Sequence, residues 1–361
     1  MAFVNDREVN REVAKINRLI SQVQNTGALQ QWDNYRKDSH RPRYHFVAPE
    51  GICYPMDPQG GIYWNDRYHL FYACQVAGNG CWGHASSIDL LHWISHPIAL
   101  DVSATDPEKH VYSGGVLVSK EGVPTMIYHG LDAGTWIATS RDDNLTTWTK
   151  HPDNPVIPIP STKDAAYGKY HVWDTCGWRL GDTYYSISGN KPDTMPKTDG
   201  DTAYLFRSDD LIRWEYVHPF YQSNRRWTNS DEDCSCPDFF PIGDKHMLMF
   251  ISHTQGTQYY VGDFTNETFY PESHGRMNWP GGACFAQESL LDANGRRIVW
   301  AWLPEARSRS AQIASGWSGI MSLPRVIRID SRAILNIEPI EELKSLRGIS
   351  KNVAFGDSIH I

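Results

Sequence analysis

Three groups of acidic residues stand just ahead of apolar runs, and acids so arranged can act on a glycosidic bond. Asp57 lies in Tyr54-Pro55-Met56-Asp57-Pro58-Gln59-Gly60-Gly61, and Asp174 in His171-Val172-Trp173-Asp174-Thr175. The third group is Asp231-Glu232-Asp233-Cys234-Ser235-Cys236-Pro237-Asp238. Cleaving such a bond requires a carboxylate on one side of the sugar and a protonated carboxylic acid beside the leaving oxygen. Clustered acids supply the second, because neighbouring negative charge raises the pKa of one partner. A single Asp in a loop reads as a turn or cap residue. The shared position ahead of three separate hairpins is what points to chemistry. Trp82, Trp173, Trp279 and Trp317 stand beside these segments, among 14 tryptophans in all. Flat rings stack on the apolar faces of sugars as readily as they fill a core.

The elements that must position these acids are hairpins. Paired apolar runs split by turn residues predict five of them: residues 61–74 turning at Asn65-Asp66, 115–130 at Glu121-Gly122, 174–190 at Gly181-Asp182, 238–253 at Gly243-Asp244, and 283–303 at Asn294-Gly295. Between them a phrase recurs: Ser87-Ile88-Asp89-Leu90-Leu91-His92-Trp93, then Ser140 to Trp148, then Ser208-Asp209-Asp210-Leu211-Ile212-Arg213-Trp214. Its spacing is that of a repeat unit. Each hairpin with the segment after it supplies a four-stranded blade, so the chain reads as all-β, a five-bladed β-propeller. Acids at the starts of the inner strands then converge on one end of the central channel. The propeller is expected over 41–330. An N-terminal helix and lead-in occupy 1–40, with Val9, Val13, Ile16, Ile20 and Val23 on one stripe and Asn5 and Glu8 as its cap. Residues 331–361 form a C-terminal extension too short for a domain.

Composition excludes several classes. A formal charge of -8 and no long Lys/Arg run argue against nucleic acid, and no stretch approaches a membrane span of roughly 20 apolar residues. The start lacks the basic-then-apolar layout of a secretory signal, which gives a cytoplasmic expectation if this terminus is native. Seven cysteines form an odd set without framework spacing and read as reduced thiols. Cys234-x-Cys236 has no second pair at metal-finger spacing, so neither metal nor other cofactor is expected. Oligomeric state is not readable.

From about Pro42 to Arg347 the chain resembles glycoside hydrolase family 32, the invertases, fructan exohydrolases and related fructosyltransferases. The likeness rests on Arg41-Pro42-Arg43-Tyr44-His45-Phe46, Tyr68-His69-Leu70-Phe71-Tyr72, Trp82-Gly83-His84-Ala85 and Asp89-Leu90-Leu91-His92-Trp93. Tyr112-Ser113-Gly114-Gly115, Cys236-Pro237-Asp238-Phe239-Phe240, Gly316-Trp317-Ser318-Gly319 and Ser322-Leu323-Pro324-Arg325 follow in the family's order. The resemblance implies a retaining hydrolase of non-reducing terminal β-fructofuranosides, with Asp57 as nucleophile and Asp174 as transition-state stabiliser. It also implies Trp82, Tyr112, Ser113, Trp173, Ser235 and Trp317 as substrate contacts. The family's acid/base glutamate immediately precedes Cys-Pro-Asp, where this chain has Ser235. Glu232, of longer reach, or Asp233, on the same strand face as Ser235, is expected to take that role, the former through a bulge. Met56, Ala73 and Trp173 stand where the family has asparagine, glutamine and arginine, and Ala283-Cys284 replaces an acidic-aromatic pair. Two further readings follow: a fructosyltransferase or another furanosidase, or a sugar-binding propeller without catalysis. The family usually carries a C-terminal β-sandwich after the propeller, which is expected to be absent or truncated here.

Overall fold

The computed structural model describes residues 37–47, 56–76, 79–103, 105–191, 200–278 and 284–349. The expected N-terminal helix, Cys53 and Trp279 lie outside these residues.

All five hairpins form, and each is the inner half of a blade. The first blade is β1 Pro58–Trp64, β2 Arg67–Val76, β3 Asn79–Ser87 and β4 Ile94–Leu100, antiparallel in that order. The second is β5 Val111–Val118, β6 Pro124–Gly130, β7 Gly134–Thr139 and the short β8 Thr149–Lys150, with β9 Ile157–Pro158 also on β7. β10 Thr175–Leu180, β11 Thr183–Ser188, β12 Thr202–Ser208 and β13 Glu215–Gln222 form the third. β14 Ser235–Ile242, β15 Lys245–Ser252, β16 Gly256–Thr265 and β17 Thr268–Arg276 form the fourth. The fifth is β18 Phe285–Leu291, β19 Arg297–Leu303, β21 Arg325–Ile329 and β22 Leu335–Pro339, with β20 Ile320–Met321 on β19. The propeller therefore runs past residue 330: β22, in the stretch expected as an extension, is the outer strand of this blade. A short helix α1, Arg309–Ser315, interrupts it, and a 3-10 turn, Glu341–Leu346, follows it.

The first turn shows why the hairpins were readable. Asn65 and Asp66 both take positive φ, 47° and 59°, the conformation that a two-residue hairpin loop demands and that Asn and Asp tolerate. The recurring Ser/Asp…Leu…Trp phrase joins the third strand of a blade to the fourth. Asp210 accepts the Ile212 and Arg213 backbone N–H groups at 2.9 and 2.8 Å, and the Trp214 indole donates to the Leu211 carbonyl at 2.8 Å. Asp89 and Asp142 make the same kind of turn. Leu90, Leu145 and Leu211 are each buried at positive φ. The side-chain hydrogen bonds and the burial of leucine offset the backbone strain there.

Each blade is covered on both faces, so its second strand reads as a continuous apolar run rather than an alternation. Every residue of β6 is buried. Five apolar clusters fill the five clefts between neighbouring blades. One joins Leu70 and Tyr72 to Leu290 and Trp300, packing the last blade against the first and closing the ring. Among the described residues no helix is long and apolar enough to cross a membrane.

Candidate active site

The inner strands β1, β5, β10, β14 and β18 start at the same end of the channel. Four of them are irregular there: the pairing register shifts between Pro58 and Gly60, between Val111 and Gly114, between Ser235 and Asp238, and between Phe285 and Glu288. Gly60, Cys236 and Ala286 sit within these bulges at φ 147°, 47° and 48°. A bulge re-aims the side chains around it and ends regular pairing. At the rim of a ring it turns the first residues of several strands toward one space.

Asp57 and Asp174 share that space. The Asp57 carbonyl accepts the Ala73 N–H at 2.8 Å, which fixes the backbone ahead of β1. Burial pushes the Asp57 carboxyl up to about 7, the Asp174 charge adds to the rise, and His253 offsets part of it. Burial likewise raises Asp174 to about 6, opposed by hydrogen bonds from Cys236 and by His253. The Cys236 N–H donates to Asp174 Oδ2 at 3.0 Å and its thiol lies 3.4 Å from the same oxygen. The bulge of β14 is thus tied to the acid ahead of β10. Ser113 closes a further link, its Oγ 3.1 Å from Cys236 Sγ.

The third acidic group divides in two. Asp233 is buried against Ser235, whose hydroxyl donates to its Oδ2 at 2.8 Å, and against His253, whose Nδ1 lies 2.7 Å from the same oxygen and whose backbone N–H donates to Oδ1 at 2.8 Å. The Trp173 indole donates to Ser235 Oγ at 3.2 Å. Asn190 braces this loop: its N–H donates to the Cys234 carbonyl at 2.8 Å and its side-chain oxygen accepts the Cys234 N–H at 3.1 Å. Gly189 permits the approach, since a Cβ there would lie 2.0 Å from the Cys234 carbonyl oxygen.

Glu232 is held elsewhere. Its Oε1 accepts the Arg276 guanidinium at 2.9 Å and the Asn229 N–H at 3.0 Å, with the side chain fully buried. A bulge does open β14, but it begins at Ser235 and leaves Glu232 paired to the outer strand of its own blade. Glu232→Gln is expected to cost about 3 kcal/mol of stability, because Arg276 loses its partner in a water-poor site. Urea unfolding set beside kcat checks this; a collapse of kcat at unchanged stability would return Glu232 to the acids.

The aromatic residues sort likewise. Trp173 and Tyr112 are only partly buried and line the mouth, backed by the buried His129, whose ring centroid is 4.8 Å from that of Trp173. A groove of about 350 Å³ continues from there between Asp132, Tyr167, His171 and Trp173. Trp82, expected as a substrate contact, is instead fully buried beside Phe71 and Tyr128 and serves the site by donating to the Tyr112 carbonyl at 3.0 Å. Trp317 is also buried: its indole donates to Asp38 at 2.7 Å and the Arg307 guanidinium lies over its ring. It anchors the lead-in rather than a sugar. A wider cavity of about 590 Å³ opens at the opposite end of the channel, around Asp238, Glu288 and Arg297. Among the described residues no group of three or more His, Cys, Asp or Glu could hold a metal ion. Sequence reasoning missed His253 and Cys236. His253 closes the fourth hairpin, and its link to Asp233 spans 20 residues that only the fold brings together.

A family model described as the glycosyl hydrolases family 32 N-terminal domain matches residues 45–339. The chain is 30% identical over 361 residues to a β-fructofuranosidase, insoluble isoenzyme 6, of Oryza sativa subsp. japonica, covering 86% of this chain and 58% of that protein. It is 29% identical over 356 residues to a fructan 6-exohydrolase of Triticum aestivum, covering 85% and 58%. Among solved structures, fructan 1-exohydrolase IIa of Cichorium intybus in complex with 1-kestose superposes with a TM-score of 0.73 at 26% identity, over 86% of this chain and 62% of that one. The chain thus spans less than two thirds of the length of these relatives.

Proposed function

The chain belongs to glycosyl hydrolase family 32, and from that premise we propose that it is a retaining glycosidase releasing fructose from non-reducing terminal β-fructofuranosides such as sucrose or fructans. The observation that carries the reading is the sharing of one buried rim site by Asp57 and Asp174, whose carboxyls are raised by burial and, at Asp57, by the charge of its neighbour. In this reading Asp57 attacks the anomeric carbon and forms a covalent glycosyl-enzyme. Asp174, anchored by the Cys236 N–H, faces the positive charge that develops on the sugar ring. Tyr112 and Trp173 stack on the sugar, and the groove beside Trp173 takes the remainder of the substrate. The proton for the leaving oxygen comes from the group around Asp233, since a hydroxyl at Ser235 cannot act as a carboxylic acid.

Incubation with sucrose, inulin and levan across pH, with free fructose separated from anhydrides and oligosaccharides, tests the reading. Fructose release is expected. Intact substrates at every pH would overturn it, and anhydrides or longer products would replace hydrolysis by transfer.

A further inference from the structure

Resting on that reading and deepening it, we propose that the proton donor is His253, held in place by Asp233, where relatives use a carboxylic acid at the position of Ser235. Asp233 cannot fill the role itself. Its two oxygens receive three donors, from Ser235 Oγ, His253 Nδ1 and the His253 N–H. Both oxygens are thus taken up by neighbouring donors, and neither is open to a leaving oxygen, which a general acid must reach directly. It is also 1% exposed, out of reach of an incoming sugar.

His253 meets both requirements. Its side chain is 51% exposed and stands just after β15. With Nδ1 fixed on Asp233, Nε2 is the nitrogen left to exchange a proton. The ring lies close enough to Asp57 and Asp174 that its positive charge favours the ionised form of each. The charged groups facing it are Asp233 ahead of β14, Asp174 ahead of β10, Asp57 ahead of β1 and Lys191 after β11. The Asp233 hydrogen bond chiefly holds the imidazole above its ordinary pKa, with help from the Asp233 and Asp174 charges and against burial and Lys191. Asp57 must be ionised and His253 protonated at the same pH, and their opposite charges favour that pairing of states.

The step balances. The Nε2 proton passes to the glycosidic oxygen as its bond to the anomeric carbon breaks and a bond from Asp57 forms, so the leaving alcohol departs neutral. Neutral Nε2 then takes a proton from water, whose oxygen attacks the same carbon and displaces Asp57. Asp233 is a positioning residue here. Ser235 fixes it, with Trp173 on the far side of the hydroxyl.

The test compares wild type, His253→Ala and Asp233→Asn on sucrose and on 4-nitrophenyl β-D-fructofuranoside, whose leaving group departs without a proton. His253→Ala should lose about 10³-fold in kcat/KM on sucrose, within the range for general acids, and about tenfold or less on the nitrophenyl substrate. The alkaline limb of its pH profile should vanish, and azide should restore turnover with fructosyl azide as product. Asp233→Asn should keep an alkaline limb but move it to lower pH, since the imidazole loses the partner that raises it. Activity on the nitrophenyl substrate also shows that each variant is folded. Sucrose cleavage by His253→Ala with an unmoved alkaline limb overturns the assignment and leaves the fructosidase reading intact. A wild type that cleaves none of these furanosides overturns the reading and the assignment with it.

Discussion

Asp57→Asn is expected to abolish sugar cleavage and, at neutral pH, to make the protein more stable. Loss of a nucleophile removes the covalent route altogether, so kcat should fall by about 10⁴-fold or more. The stability gain follows from proton linkage. The folded-state pKa of Asp57 is raised to about 7 from an ordinary 3.8, first by burial and then by Asp174, with His253 opposing. Between those two values the folded protein holds more proton on this residue than the unfolded chain does. Its contribution to stability is therefore fully present below about pH 3.8 and is lost as pH rises through about 7. Asparagine is neutral throughout and escapes that loss. With the shift discounted for the open mouth of the channel, the gain is about 1 to 2 kcal/mol at about pH 7.5 and near zero at about pH 3.5. Urea unfolding of both proteins at the two pH values checks it. An equal difference at both would remove burial of the charge as the cause.

The hairpins were legible because their determinants are local. Asn65-Asp66 and the glycines at 122, 181, 243 and 295 announce turns by backbone conformation alone, and each has positive φ in the structure. The Ser/Asp…Leu…Trp phrase was legible as a repeat, though not as the turn it makes, which depends on leucines at a φ that β-propensity gives no reason to expect. Trp82 and Trp317 show where composition misleads: both neighbour the site in sequence, but the Trp82 indole lies in the packing between the first two blades and that of Trp317 reaches Asp38 of the lead-in. Glu232 and Asp233 are adjacent in the chain and go to different partners, Arg276 on β17 and His253 after β15. Nothing within the segment distinguishes them, because the choice is made by the neighbouring strands of the blade. The positive φ of Cys236 and Ala286 in the bulges of β14 and β18 was equally hidden, since no glycine stands at either position to signal it.

Asp174→Asn separates the two tasks that this residue performs. The carboxyl pins the β14 bulge through the Cys236 N–H, and its charge raises the pKa of Asp57. Asparagine keeps an oxygen for the N–H and discards the charge. The fold and the bulge should survive, while kcat/KM on sucrose falls by about 10³-fold because charge stabilisation in the transition state is lost. The residual activity should be displaced as well: with one negative charge gone, Asp57 ionises more easily and the acid limb of the pH profile moves to lower pH. Asp174→Ala removes both functions and leaves the buried Cys236 N–H without its acceptor, at a cost of about 1 to 3 kcal/mol. It should therefore unfold at lower urea than Asp174→Asn, whereas the two lose similar amounts of activity on sucrose. An acid limb that stays at the wild-type pH in Asp174→Asn would mean that the two carboxyls do not feel one another, and the shared site would lose its electrostatic basis. A limb that moves down ties the inner strands of the first and third blades to one chemical step.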